Sequence, residues 1–211
     1  MTLPGYLRDP AEIYRASWAL ARAETDLTAI PGDLAALALR LVHASGDPSV
    51  VADLRASEGA VAAGMAALEA GAPVFCDSEM VAHGVIRARL PAANAVICKL
   101  NHESVPARAE RLATTRSAAA VDLWGGALRG ALVAIGNAPT ALFRLLERLE
   151  DRAPRPALII AMPVGFVGAA ESKQAVIDGD HGIPYIALAG RRGGSALAAA
   201  AVNALVAQDG S

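Results

Sequence analysis

Apolar residues in the first third of the chain recur three and four positions apart. Ile13, Tyr14, Ser17, Trp18 and Ala21 share one face of a helix predicted over Asp9 to Leu27, and Asp9 before Pro10 supplies the N-cap and first-turn pair. Leu34, Leu37, Ala38, Leu41 and Val42 repeat the stripe from Asp33 to Ala44, where the string ASGDP stops it. A third, alanine-rich helix is expected from Ser57 to Ala70, ended by Gly71. The period then changes. PVFC at 73–76, AVICKL at 95–100, ALVAIG at 131–136, ALIIAM at 157–162 and PYIALA at 184–189 are short apolar runs between turn residues, which predict five strands. Helical stretches at 79–86, 107–128, 138–150, 170–177 and 195–207 alternate with them. The alternation predicts a five-stranded parallel sheet with right-handed crossovers: an α/β three-layer α/β/α sandwich, flavodoxin-like and doubly wound, in one domain spanning 1–211. In such a sheet ligands collect beyond the carboxyl ends of the strands. That rule points to DSEMVAHG, NHES, NAPT, PVGFVGAAESK and GRRGGS.

Composition agrees with the pattern. The chain is 54% hydrophobic but only 4% aromatic, so its core is built from Ala, Val, Leu and Ile, the mixture that suits helices on buried parallel strands. Nineteen basic and twenty-one acidic side chains leave a formal charge of -2, which gives no electrostatic footprint for nucleic acid or an anionic membrane. Cys76 and Cys98 lie in apolar runs without CxxC spacing or a histidine pair. No disulfide or metal site is expected, and a reducing cytoplasm is. The N-terminal string lacks a basic stretch followed by an apolar one, and no uncharged run reaches the ~20 residues of a membrane span without Pro and Gly breaks. A soluble protein with a small-molecule or protein partner is expected.

Several constellations could carry chemistry. In GNAPTA, Asn137 and Pro139 open a helix, which capping alone explains, although such a helix start also receives carboxylates. Gly165 and Gly168 in MPVGFVGAAESK hint at a phosphate loop, but Pro163 breaks the three-glycine fingerprint and AESK does not supply GK[ST]. Asp77 and Glu79 read first as the start of the helix at 79, His83 as a core or helix-end group, and His102 and His181 as solvated loop residues. Arg116 stands at a helix start against the dipole, where carboxylate recognition would explain it, and Arg191 and Arg192 precede two glycines. His43 follows Arg40 by three residues, so both leave one face of the second helix. A terminal turn favours protonated imidazole by roughly 0.3 to 1 kcal/mol, while a neighbouring cation opposes it. An anion on Arg40 would leave His43 easily switched. A histidine there can equally do no more than bond the last carbonyls, and spacing alone leaves both readings open.

The longer strings narrow the choice. IYRASWALARAETDL, LRLVHASGD, GAPVFCDSEMVAHGV, RARLPAANAVICKL, TTRSAAAVDLW, VAIGNAPTALFRLLE, MPVGFVGAAESK and GRRGGSALAAAAVNAL, in order from about residue 6 to 206, resemble the precorrin-8X methylmutase family, which includes the cobalt-precorrin-8 enzymes. The resemblance implies a single α/β domain, a homodimer, and a large pocket for a corrinoid bearing many carboxylates. It implies an isomerase that moves a methyl group from C11 to C12 of precorrin-8X, giving hydrogenobyrinic acid for cobalamin, without a cofactor. Such a shift needs a conjugated system redistributed by protonation. His43 falls on the family's catalytic histidine, Ser17 and Arg40 on substrate contacts, and Arg116 on a holder of a peripheral carboxylate. The strand-end rule adds Asn137 and the loop from Gly165 to Lys173 as further candidates. The rivals are a cobalt-containing substrate, a corrinoid-holding module without chemistry, and a nucleotide-dependent enzyme using the Gly165 loop.

Overall fold

A computed structural model of the chain describes residues 5–206. The first predicted helix forms as α1, Pro10–Glu24, with the Asp9 carboxylate accepting the Glu12 N–H at 2.7 Å. The second forms as α2, Ala35–Ser45, stopped by Gly46, which still donates its N–H to the Val42 carbonyl while its left-handed φ of 66° turns the following chain out of the helix. Leu37, Ala38, Leu41 and Val42 are buried as their stripe predicts, whereas no residue of α1 is fully buried.

After α2 a six-residue 3-10 helix, Pro48–Asp53, leads into β1, Leu54–Ala56. There follow α3 (Ala60–Glu69), β2 (Val74–Cys76), α4 (Glu79–Gly84), β3 (Val96–Cys98), α5 (Val105–Arg111), α6 (Arg116–Val121), β4 (Leu132–Ile135), α7 (Pro139–Glu150), β5 (Leu158–Ala161), α8 (Ala169–Asp178), β6 (Tyr185–Leu188) and α9 (Ser195–Ala204). The expected end of the last helix at 207 lies outside the described residues.

Two expectations need correction. The sheet has six strands, because Leu54–Ala56 adds an antiparallel edge to β6 with Leu54 opposite Leu188. Three residues with Arg55 in the middle carry no period that a sequence could reveal, and such an edge is a common addition to a parallel sheet. The long helix expected over 107–128 is two short ones. Ala113 takes a left-handed φ of 48°, and the Thr115 hydroxyl caps the second by accepting the Ala118 N–H at 3.1 Å.

The strand order is β1-β6-β5-β4-β2-β3, parallel throughout except at β1. Alternate side chains feed two separate cores. Val74, Cys76, Leu132, Ala134, Leu158 and Ile160 pack with residues of α2, α3, α4 and α9. Phe75, Val133, Ile135, Ile159 and Ala161 pack with residues of α6, α7 and α8. Each fully buried leucine or isoleucine in these layers contributes about 1.5–3 kcal/mol of transfer free energy. From β2 the chain turns outward to β3, and from β4 it moves the other way to β5 and β6. The order therefore reverses between β2 and β4, where doubly wound sheets open a crevice. No helix among the described residues is long and apolar enough to cross a membrane.

Candidate active site

His43 occupies the last turn of α2 and is half-buried. One turn spacing on α1 brings Tyr14, Ser17 and Trp18 against it, since residues three and four apart share a helix face. The Ser17 hydroxyl lies 3.1 Å from His43 Nδ1. Trp18 stacks on the imidazole with ring centroids 5.1 Å apart and planes within 4°, and Tyr14 meets it edge-on at 6.0 Å. One nitrogen is thus held and the ring plane set, while Nε2 has no hydrogen-bond partner among the described residues. Such an imidazole can hand a proton to a ligand at Nε2 and take it back.

Arg40 meets the same indole, its guanidinium carbon 4.9 Å from the Trp18 centroid. It is 8% exposed, and its Nε and Nη2 are buried with no partner among the described residues. Buried donors without an acceptor are costly, so this cation calls for an anion or water beside it. The Arg192 guanidinium ties the β6–α9 loop to the segment just after His43, reaching Asp47 and Asp53 at 3.5 Å and the Ser49 hydroxyl at 3.1 Å. His43 therefore stands at the carboxyl end of the sheet, with the loops that the strand-end rule selects.

Arg116, at the start of α6, and Asn137, between β4 and α7, lie at the same end but beyond other strands. Arg116 is exposed, and its Nη2 donates to the Leu100 carbonyl at 3.2 Å and to Asn101 Oδ1 at 2.9 Å. Thr115 beside it hydrogen-bonds Thr140 on α7 at 2.7 Å, which ties the starts of α6 and α7 together. Asn137 is exposed and is not the cap of α7. The N-cap position is Ala138, which has no side chain able to cap. Asp77, just beyond β2, does that work across the sheet: its carboxylate accepts the N–H groups of Gly136, Asn137 and Ala138 at 3.0, 2.9 and 2.6 Å. Burial pushes the Asp77 carboxyl up from its ordinary range, and these donors pull it back. The cap of α4 is Ser78, which accepts the Val81 N–H at 3.3 Å, so Asp77 is not spent on its own helix.

The glycine loop does not resemble a phosphate cradle. Gly165 N–H donates to the Arg191 carbonyl and Gly194 N–H to the Met162 carbonyl, zipping the loops after β5 and β6 together. Phe166 and Val167 stand 83% and 88% exposed, with the Arg191 guanidinium 5.4 Å from the Phe166 ring. Lys173 turns away from the open loop. It is fully buried, and its Nζ donates to the Arg192 carbonyl at 2.5 Å. Burial lowers it from 10.5 to about 8, opposed by Asp53. The remaining histidines stand apart. His83 is exposed in the last turn of α4, His102 is exposed on Ser104, and His181 is half-buried on the Ala175 carbonyl rather than solvated.

The structure thus brings Ser17, Arg40 and His43 together around an indole, and sets Arg116 and Asn137 apart at the neighbouring strand ends. Tyr14, Trp18, Asp77 and Asn101 were not singled out as site residues by their local sequence. An aromatic at helical spacing reads as core, and the partners of Asp77 lie 59 to 61 residues away.

Fold and site together define a mixed α/β protein with a six-stranded, mostly parallel sheet that presents one serine-held imidazole, its second nitrogen without a partner among the described residues, at the carboxyl end of the sheet. The family model described as precorrin-8X methylmutase (CbiC) matches residues 12–208, and the chain belongs to that family. It is 60% identical to the precorrin-8X methylmutase of Pseudomonas aeruginosa over 95% of this chain and 96% of that one. It is 33% identical to the cobalt-precorrin-8 methylmutase of Methanocaldococcus jannaschii over 80% of this chain and 76% of the other. The crystal structure of a precorrin-8X methylmutase from Thermus thermophilus superimposes with a TM-score of 0.84 at 40% identity, covering 92% of this chain and 94% of that one.

Proposed function

We propose that this chain is an isomerase that converts precorrin-8X to hydrogenobyrinic acid by moving a methyl group from C11 to C12, with His43 as general acid and base. The observation that carries the role of His43 is the Ser17–His43 contact of 3.1 Å under a stacked indole, which leaves Nε2 as the free edge of the ring. In the proposed step, Nε2–H protonates the conjugated macrocycle. The methyl group then moves with its bonding pair between adjacent ring carbons, and the proton returns to Nε2. Substrate and product have the same atoms and electrons, so the conversion itself calls for no cofactor.

Arg40, Arg116 and Asn137 are the proposed holders of the substrate's polar periphery, together with Ser17. The unpartnered donors of Arg40 and the exposed guanidinium of Arg116 suit carboxylates. Identities of 60% and 54% to proteins named precorrin-8X methylmutase, against 33% to 36% to several named for the cobalt substrate, favour the metal-free macrocycle. Homodimer formation is supported by α1, which buries none of its residues and exposes Ile13, Tyr14 and Leu20. The free thiols of Cys76 and Cys98, paired in register across β2 and β3, suit a reducing cytoplasm.

The test is His43→Ala in purified protein given precorrin-8X. The variant is expected to fold and bind the pigment but to lose about 10²–10⁴ of the rate at which wild type changes its spectrum at constant mass. Turnover undiminished in His43→Ala would remove the histidine from the reaction. Wild type that binds the pigment and stops after one spectral change per protein would mark a holding module instead.

A further inference from the structure

Asp77 follows β2 at the place where the strand order reverses. It is 3% exposed, and no Lys, Arg or His among the described residues lies within ion-pair distance of its carboxylate. A buried carboxylate without a cation is expensive. A local Ser or Asn at position 138 would cap α7 without that expense, yet Ala stands there. What Asp77 adds over a local cap is reach. Three consecutive N–H groups, from Gly136, Asn137 and Ala138, close on one carboxylate that belongs to the neighbouring strand. That is the arrangement in which doubly wound sheets hold a ligand's phosphate on backbone donors at a helix start. In this chain the anion is built in, so the turn is already occupied and already rigid.

The other side of the turn is clamped as well. A Cβ on Gly136 would meet Ala198 Cβ at 2.7 Å and Ser195 Cα at 2.9 Å, so the start of α9 presses directly against the backbone there. Ser78, next to Asp77, meets the Ser195 hydroxyl at 3.3 Å. With Asp77 on one flank and α9 on the other, the Asn137 side chain is the part of the turn left exposed at the crevice between β2 and β4. We infer that Asp77 is a positioning residue: its carboxylate holds the Gly136–Asn137–Ala138 turn so that Asn137 is presented to the substrate at the strand-order reversal. The inference rests on Asn137 being a substrate contact, as set out above.

The experiment compares wild type, Asp77→Ala, Asn137→Ala and the double variant on precorrin-8X. Turnover by wild type in the same assay checks the reaction assignment separately. Asp77→Ala is expected to raise KM by about 10²-fold with kcat nearly unchanged, because binding geometry is lost while His43 is untouched. The double variant is expected to be no worse than Asp77→Ala, since a side chain already misplaced has nothing more to lose. Formate fits the vacated carboxylate position. It should restore KM in Asp77→Ala and shift the backbone amide signals of residues 136–138 in 15N spectra. Should Asp77→Ala fail to fold, Asp77→Asn keeps the shape while its NH2 opposes the backbone donors, and the same KM and double-variant comparison is read on it without formate rescue. A fall in kcat at constant KM, or Asn137→Ala acting equally in both backgrounds, would overturn the inference. So would formate moving the amide signals while KM stays high.

Discussion

Replacing Lys173 by Met tests whether an ammonium really sits inside this fold. The lysine is fully buried with one acceptor, the Arg192 carbonyl. Its folded value of about 8 lies below the ordinary 10.5, because burial disfavours the charge. Between pH 8 and 10.5 the unfolded chain therefore binds more proton at this lysine than the folded one, and the lysine's contribution to stability rises with pH through that window. Below pH 8 the penalty is fully present, and above 10.5 both states are neutral and it is gone. At about 1.4 kcal/mol per pH unit the whole effect is at most about 3 kcal/mol. Methionine removes the penalty at every pH but leaves the Arg192 carbonyl without its donor, which costs about 1 kcal/mol. Lys173→Met is thus expected to be more stable than wild type by up to about 2 kcal/mol at pH 7, and less stable by about 1 kcal/mol near pH 10.5. Urea unfolding of both proteins at pH 7 and pH 10 measures the difference, and titrations common to both cancel. A stability difference that stays flat with pH would show that the amine keeps its ordinary proton affinity in the fold and is not desolvated there.

Two further substitutions probe other contacts. Ser17→Ala frees His43 Nδ1 and should lower kcat about 5- to 10-fold, in line with about 1 kcal/mol of lost hydrogen bonding; an unchanged spectral rate would exclude Ser17 from the mechanism. The Asp122 side chain is 8% exposed and gathers Arg108, Arg144 and Arg148 at 3.6, 2.8 and 3.9 Å. Asp122→Ala leaves those cations facing one another and should destabilise by about 2 kcal/mol after allowance for their partial exposure. A shift in urea midpoint equivalent to less than about 0.5 kcal/mol would show the cluster to be ornamental, as exposed ion pairs often are.

The parallel strands were legible because each is a run of apolar residues with turn residues at both ends, as PVFC and ALIIAM are, and burial on two faces demands that pattern. Leu54–Ala56 was not, since its strand identity comes from pairing with β6 and not from its own residues. The break at Ala113 was hidden for a similar reason: helical composition continues through it, and only the Thr115 cap marks the restart. In the site, the placing of Ser17 and His43 came from resemblance. The three-residue spacing of Arg40 and His43 put both on one helix face but left their role open. Trp18 was legible as an apolar helix position and illegible as the plate on which Arg40 and His43 both rest. Asp77 has the residues of a helix start around it, and nothing local tells a cap for the next helix from one for a helix beyond the neighbouring strand of the sheet.

The two halves of the site follow different physics, which makes them separable. His43 is oriented by side chains of α1, through a hydroxyl contact and a stacked ring, and in the proposed reaction these set where the proton goes. Asn137 is oriented by backbone donors locked on Asp77, and in the proposed reaction these set where the macrocycle sits. Arg192 joins the regions by tying the β6–α9 loop, which leads into α9, to the residues after His43. With this division, substitutions at Ser17 act mainly on kcat and those at Asp77 on KM, and combining them should give nearly additive losses because Ser17 and Asp77 share no partner within the protein. A strong coupling between Ser17→Ala and Asp77→Ala would mean that the macrocycle is not simply held at one place and protonated at another. Its seating at the strand ends would then itself set the reach of the imidazole.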